Sequence, residues 1–246
     1  MPLGYIIFSS LLGGLFSVLG AAVVLTVSAA AVDKALPRLV SFSTGALLGA
    51  ALLGMLPHAA DTLNAPKVFF IVLIGILVFF LFEKMLVWRH CHRADCSVHA
   101  ASGPLLLLGD AFHNFVDGIV IAGAFAESDA LGFAAALSTV AHEVPQEIGE
   151  FMVYLRAGYS RKKALVLNSL TSLTTVVGAI LGSFFLTEIR GVGPYLLAFA
   201  AAGFIYVSLA DLVPAQRGKS TMGQTIVDFV FMIGGISITA LIAHQH

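Results

Sequence analysis

Along most of this chain apolar residues do not alternate with polar ones; they run for about twenty positions at a time and stop at short polar breaks. A bilayer core of about 30 Å needs about 20 apolar residues per helix. Eight stretches meet that length, at residues 5–31, 39–60, 68–88, 103–126, 131–156, 164–187, 194–213 and 223–243. The breaks carry the punctuation of helix ends: Pro37 opens the second stretch, Pro66 precedes the third, Gly103-Pro104 opens the fourth and Gly193-Pro194 the seventh. Only residues 89–102 make a loop of any length. The pattern predicts an all-α integral membrane protein, one domain over residues 1–246, with eight transmembrane helices. The first stretch ends in Ala29, Ala30 and Ala31, which imitates a signal-peptide cleavage site, but no Lys or Arg precedes it. It reads as a spanning helix rather than a cleaved signal.

Charge then orients the helices. With connections assigned alternately to two sides, all of the 13 Lys and Arg residues except Lys67 and Arg190 fall on one side. Cytoplasmic loops carry such an excess, so both termini are expected outside, with the 89–102 loop in the cytoplasm. The chain is then a multi-pass protein of the cell (inner) membrane. A composition of 59% hydrophobic and 11% charged residues supports the membrane reading, since globular domains average about 25% charged. The net charge of −1 excludes a nucleic-acid surface, which needs a basic excess. Cys91 and Cys96 are too few for a disulfide framework. They share the loop with His90, His92 and His99, a set able to hold zinc transiently on the cytoplasmic side.

Two polar clusters interrupt the fourth and fifth stretches. One holds Asp110, His113, Asn114 and Asp117; the other holds His142, Glu143, Gln146, Glu147 and Glu150. Ionisable groups in hydrocarbon are costly and mark function by default. On a helix His113 and Asp117 share a face, with Asp110 one turn below; His142 with Gln146, and Glu143 with Glu147, repeat that spacing. At 1.5 Å per residue His113 lies about 14 Å from the cytoplasmic end of its helix, and His142 about 17 Å from the outer end of the next. The two imidazoles therefore meet near the midplane, and Glu147, Glu150 and Asp110 continue as a ladder toward the cytoplasm. Pro145 lacks the N–H that would bond the Ala141 carbonyl, and that carbonyl must find another donor inside the protein or in a water-lined cavity. His-Asn-x-x-Asp and His-Glu-x-x-Gln on antiparallel neighbours point to a site shared between inverted halves, a 3+2+3 arrangement. His58, at the outer end of the second helix, reads as an entrance ligand or as an interfacial cap. Glu83 and Lys84 read as solvated at the membrane surface. Asn168, Thr171, Ser172 and Thr174 form a stripe that packs helices rather than binding ions.

At these residues the chain resembles the ZIP family (Zrt-, Irt-like proteins) of divalent-metal transporters. His142-Glu143-Val144-Pro145-Gln146-Glu147-Ile148-Gly149-Glu150 is similar to the subfamily motif H-E-x-P-H-E-x-G-D. His113 to Gly118 matches that subfamily's fourth helix, and Leu56-Pro57-His58-Ala59 its second. The resemblance implies that His113, Asn114, Asp117, His142, Glu143 and Gln146 stand at paired metal sites. It also implies that the ion is the cargo, zinc first and cadmium, iron or manganese besides, moved toward the cytoplasm as helices 1, 4, 5 and 6 shift against the rest. A homodimer in the lipid bilayer is compatible with it. Gln146 replaces a histidine, and Ala50 and Gly54 stand where many relatives carry Asp and His, which implies a weaker or single-metal site. The cation is expected to enter past His58, shed water onto His113, Asp117, His142 and Glu143, and leave past Glu147, Glu150 and Asp110. Two rivals differ in class. An intramembrane zinc protease would use His142-Glu143 but lacks the second His of H-E-x-x-H. A membrane metal sensor would bind without flux.

Overall fold

In the computed structural model, residues 3–24, 26–27, 29–88, 103–156, 158–188, 191–216 and 221–243 are described. They form eight long helices and no strand. These are α1 (Leu3–Val24), α2 (Ala29–Gly49, continued as π-helix over Ala50–Met55 and α-helix over Leu56–Thr62), α3 (Ala65–Trp88) and α4 (Gly103–Glu127). They continue as α5 (Asp129–Arg156), α6 (Arg161–Glu188), α7 (Gly193–Val207, then π-helical Ser208–Leu212 and helical Val213–Ala215) and α8 (Met222–Ala243). Six of them are long and apolar enough to cross a membrane. The other two, α4 and α5, carry the polar clusters, and those acids lower their apolar content. The loop with His90, Cys91, His92, Cys96 and His99 lies outside the described residues.

Helix starts are set by local chemistry. Ser128 caps α5 by accepting from the Leu131 N–H at 3.2 Å, Asn64 caps α3 through the Lys67 N–H at 3.0 Å, and Ser160 caps α6 through the Lys163 N–H at 3.3 Å. Thr221 and Gln224 form a reciprocal capping box before α8. One boundary departs from the hydropathy reading. The first apolar run is not one helix to residue 31: it breaks after Val24, where Thr26 turns its N–H and hydroxyl back onto the Val23 carbonyl, both at 2.9 Å. The alanines at 29–31 start α2, and Pro37 lies inside that helix rather than at its start. Hydropathy cannot separate two apolar helices joined by a β-branched turn.

Helices α1, α4, α5 and α6 pack mainly on one another, and α2, α3, α7 and α8 form a second group. The groups meet where α5 crosses α2 and α8, and where α4 meets α7. Glycines bring backbones together inside each group. Gly118 of α4 faces the Thr175 carbonyl while Gly178 of α6 faces that of Phe115, and Gly45 of α2 faces the Met232 carbonyl while Gly235 of α8 faces that of Phe42. Small residues at such crossings permit the dispersion contact that replaces a hydrophobic driving force in lipid.

The π-helical turns in α2 and α7 match. Each is followed two residues later by a proline, Pro57 and Pro214, and each closes with an i→i−5 bond, Leu56 N–H to the Ala51 carbonyl and Val213 N–H to that of Ser208. The proline removes the next i→i−4 donor, and the wider turn absorbs the misfit. Helices α2 and α7 thus carry the same irregularity.

Candidate metal centre

The polar faces of α4 and α5 meet inside the bundle. His113 and Asp117 from α4, with His142 and Glu143 from α5, bring one ligand atom each within 4.8 Å of one another. His142 Nε2 is the hub, 3.1 Å from His113 Nε2, 3.0 Å from Asp117 Oδ2 and 3.8 Å from Glu143 Oε1. His113 Nε2 is 4.0 Å from Asp117 Oδ2 and 3.6 Å from Glu143 Oε1. The His142 ring is oriented by Nδ1–H donating to the Ser138 carbonyl at 2.8 Å, which leaves the Nε2 lone pair aimed into the cluster. Asp117 Oδ2 and both Glu143 oxygens are buried and make no hydrogen bond among the described residues. Buried polar atoms normally have partners, so this convergence of electron-pair donors fits a cation. A tetrahedral ion with bonds of about 2.0–2.1 Å holds its ligands about 3.3 Å apart, within a few tenths of an ångström of most of these separations. Mixed imidazole and carboxylate suits zinc and its neighbours rather than calcium.

Access is uneven. The side chains of Asp117, His142 and Glu143 are 6%, 1% and 2% exposed, against 26% for His113. His113 opens on a cavity of about 200 Å³ between α3, α4 and α7, which also touches Asp117 and His142.

One turn further along, Asp110, Glu147 and Glu150 gather against α6. Asn114 donates its amide to Asp110 Oδ1 at 2.9 Å and accepts the Thr175 hydroxyl at 2.7 Å, so it braces Asp110 and stays outside the four-ligand cluster. Gln146 donates toward Asp110 Oδ1 and Glu150 Oε1, both at 3.3 Å, and joins the lower group. Ser172 donates to Glu147 Oε1 at 2.8 Å, and Asn168 donates to the Glu147 carbonyl at 3.0 Å. Asp110 Oδ2, Glu147 Oε2 and Glu150 Oε2 are left without a hydrogen bond among the described residues. The α6 stripe thus packs helices, with Ser172 holding the Glu147 carboxylate, Asn168 the Glu147 carbonyl of α5 and Thr174 the Ala111 carbonyl of α4.

The carbonyl of Ala141, released by Pro145, accepts the Ser43 hydroxyl of α2. His58 lies apart from the cluster, with Nε2 3.3 Å from Oε2 of Glu127 at the C-terminal end of α4; the sequence reading passed over Glu127, whose partner comes from another helix. Glu83 differs from its reading as a surface residue. It turns into the cavity beside α4 and accepts the Tyr206 hydroxyl of α7, because an acid near a helix end faces protein whenever a donor stands on the neighbouring helix.

Comparison with known proteins agrees with the site. A family model described as ZIP Zinc transporter matches residues 88–243. The chain is 37% identical over 140 residues to "Zinc transporter foi" of Drosophila melanogaster, covering 56% of this chain and 20% of that protein. It is 35% identical over 150 residues to "Zinc transporter SLC39A7" of Homo sapiens, covering 58% and 32%. It is 28% identical over 225 residues to "Zinc transporter ZIP13" of Pongo abelii, covering 84% and 66%. The chain therefore spans about a third or less of the length of the first two relatives. The apolar helices and the match over well over half of its residues identify an integral membrane protein that belongs to the ZIP zinc transporter family.

Proposed function

We propose that this chain moves divalent cations, zinc first and cadmium, iron or manganese besides, across a membrane toward the cytoplasm and catalyses no covalent chemistry. The observation that carries the reading is the four-donor cluster of His113, Asp117, His142 and Glu143, whose buried oxygens have no other partner among the described residues. The names of the relatives, all zinc transporters, support the same cargo. His58 with Glu127 forms the outer mouth. Asp110, Glu147 and Glu150, braced by Asn114 and Gln146, form a second polar station on the inner side. Gln146 weakens that station for soft ions, because an amide oxygen is a poorer ligand than imidazole.

All eight helices span, both termini face outside, and the chain is arranged 3+2+3. The Lys and Arg asymmetry supports the orientation, and the matched π-helical turns and prolines of α2 and α7 support inverted repeats. Alternating access follows from sliding the α1-α4-α5-α6 group against the other. Purified protein in proteoliposomes tests this: saturable, chelator-blocked uptake that changes metal preference in Gln146→His supports transport, and binding without flux under any metal or pH gradient refutes it in favour of a sensor.

A further inference from the structure

We infer that Glu83 is a cation ligand on the cytoplasmic side of the central cluster, and that the transported ion reaches it through the cavity between α3, α4 and α7. The inference rests on the transport reading above and adds a residue and a route to it.

Glu83 is the only acid among the residues of α3, a helix that is mostly exposed and, Lys67 and Lys84 apart, apolar. By rise it stands five residues, about 8 Å, from the end of α3 at Trp88. An ionised group at that depth turns either to the headgroups or to protein. Glu83 takes the second course, with the Tyr206 hydroxyl donating to its carboxylate from α7. The same cavity is lined both by Glu83 and by His113, Asp117 and His142. Its volume, about 200 Å³, has room for about half a dozen waters at about 30 Å³ each, enough for a partly hydrated ion.

Position relative to the two helix groups decides between routes. Asp110, Glu147 and Glu150 and their braces on α6 all belong to the α1-α4-α5-α6 group, so sliding that group as a body opens nothing among them. The cavity is lined from both groups, by α4 and His142 of α5 from one and by α3, α7 and Leu47 of α2 from the other, so it lies on the seam and is the space such a motion widens. Phe82 of α3 and Phe112 of α4 stack across the seam at 4.2 Å between ring centroids and line the cavity. Their separation on opening joins the cavity to the inner surface, where the Glu83 carboxylate receives the ion from His113.

The test uses the full chain in proteoliposomes. Glu83→Gln can still accept the Tyr206 hydroxyl but loses the charge, so zinc flux should fall about tenfold, with zinc binding at the four-ligand cluster, read by calorimetry in detergent, unchanged. Glu83→Asp should recover most of the flux, which a purely structural Glu83 would not predict, since Gln is the closer isostere. Glu83→Cys, made with Cys91→Ser and Cys96→Ser, supplies a readout that does not need flux: a charged thiol reagent should label it, and micromolar cadmium should slow the labelling severalfold. Wild-type flux in Glu83→Gln, or labelling indifferent to cadmium, overturns the inference. Absent flux in the wild type alongside cadmium protection of Glu83→Cys removes the transport reading and leaves Glu83 as a cation ligand.

Discussion

Glu143→Gln should make the protein more stable without metal and nearly unresponsive to it. Glu143 Oε1 lies 3.6 Å from His113 Nε2 and 3.8 Å from His142 Nε2, and neither Glu143 oxygen has a hydrogen-bond partner among the described residues. An amide there places an N–H donor against imidazole lone pairs. A buried polar group left unpaired costs about 1–3 kcal/mol, and 1 kcal/mol moves the melting temperature of a chain this size by about 2–4 °C. In chelator the variant should therefore melt about 2–12 °C above wild type. With zinc at about 100 times Kd, wild type gains RT ln(1 + [L]/Kd), about 2.7 kcal/mol, or about 5–11 °C. Removing one ligand of four should weaken binding by about 100-fold, the upper range seen for mere supporting residues. At the same zinc concentration the variant then gains about 0.4 kcal/mol, a shift of about 1 °C. The assay is thermal unfolding in detergent with and without metal. A variant that melts below wild type in chelator and keeps the full zinc increment would refute the claim that Glu143 is held for a cation.

Three further outcomes follow from the packing and the mouth. Gly234→Ala and Gly235→Ala, neighbours in α8, should act with opposite sign: a Cβ at 234 meets nothing within 4 Å, whereas one at 235 meets the Phe42 carbonyl. The first should stabilise by about 0.5–1 kcal/mol and the second destabilise by about 1–3 kcal/mol, read as melting temperature; equal effects would contradict the α2–α8 contact. Ser43→Ala strips the Ala141 carbonyl of its α2 donor and should cost about 1–3 kcal/mol, so unchanged melting would show that another donor serves Pro145. His58→Ala and Glu127→Gln should each raise KM for zinc severalfold at constant kcat, and the double variant should be no worse than either alone if the 3.3 Å pair acts as a unit.

The sequence was most legible where cost forces pattern. Eight apolar runs and two ionisable clusters stand out because lipid tolerates neither short helices nor stray charge, and the four ligand atoms come from those clusters. The i,i+4 rule put His113 with Asp117, yet it could not say that Asn114 would turn to Asp110 and Thr175 or that Gln146 would join the lower carboxylates. Those choices depend on which helix packs beside each face. Glu83 and Glu127 were missed for the same reason, since Tyr206 and His58 are 123 and 69 positions away in sequence. The start of α2 was missed because an alanine run is equally apolar in one helix or two. The small-x-x-x-small spacings Gly45/Gly49 and Gly178/Gly182 were available as a signal for the α2–α8 and α4–α6 crossings.

All four candidate ligands stand on α4 and α5, within one helix group, and the other group contributes to the cavity beside them Leu47 of α2, Ala200 and Phe204 of α7, and Glu83 of α3. The bonds across the seam are few and local, such as Ser138 to the Ala46 carbonyl at 3.1 Å and Ser43 to that of Ala141. If the groups slide as bodies, the four central ligands travel intact, and what changes is their distance from the residues of the other group, Glu83 included. An ion held equally by those four ligands in both states shifts nothing between them, so its binding there does not power the change; it rides an exchange that thermal motion supplies, and Glu83 takes it only as it leaves. Net movement then follows the metal gradient alone. Zinc uptake into proteoliposomes should stop when internal free zinc equals external, with or without an imposed pH difference. Accumulation beyond that point under a proton gradient would mean that the four central ligands differ between the two states, with a titrating group inside the seam, and would refute the rigid-body account.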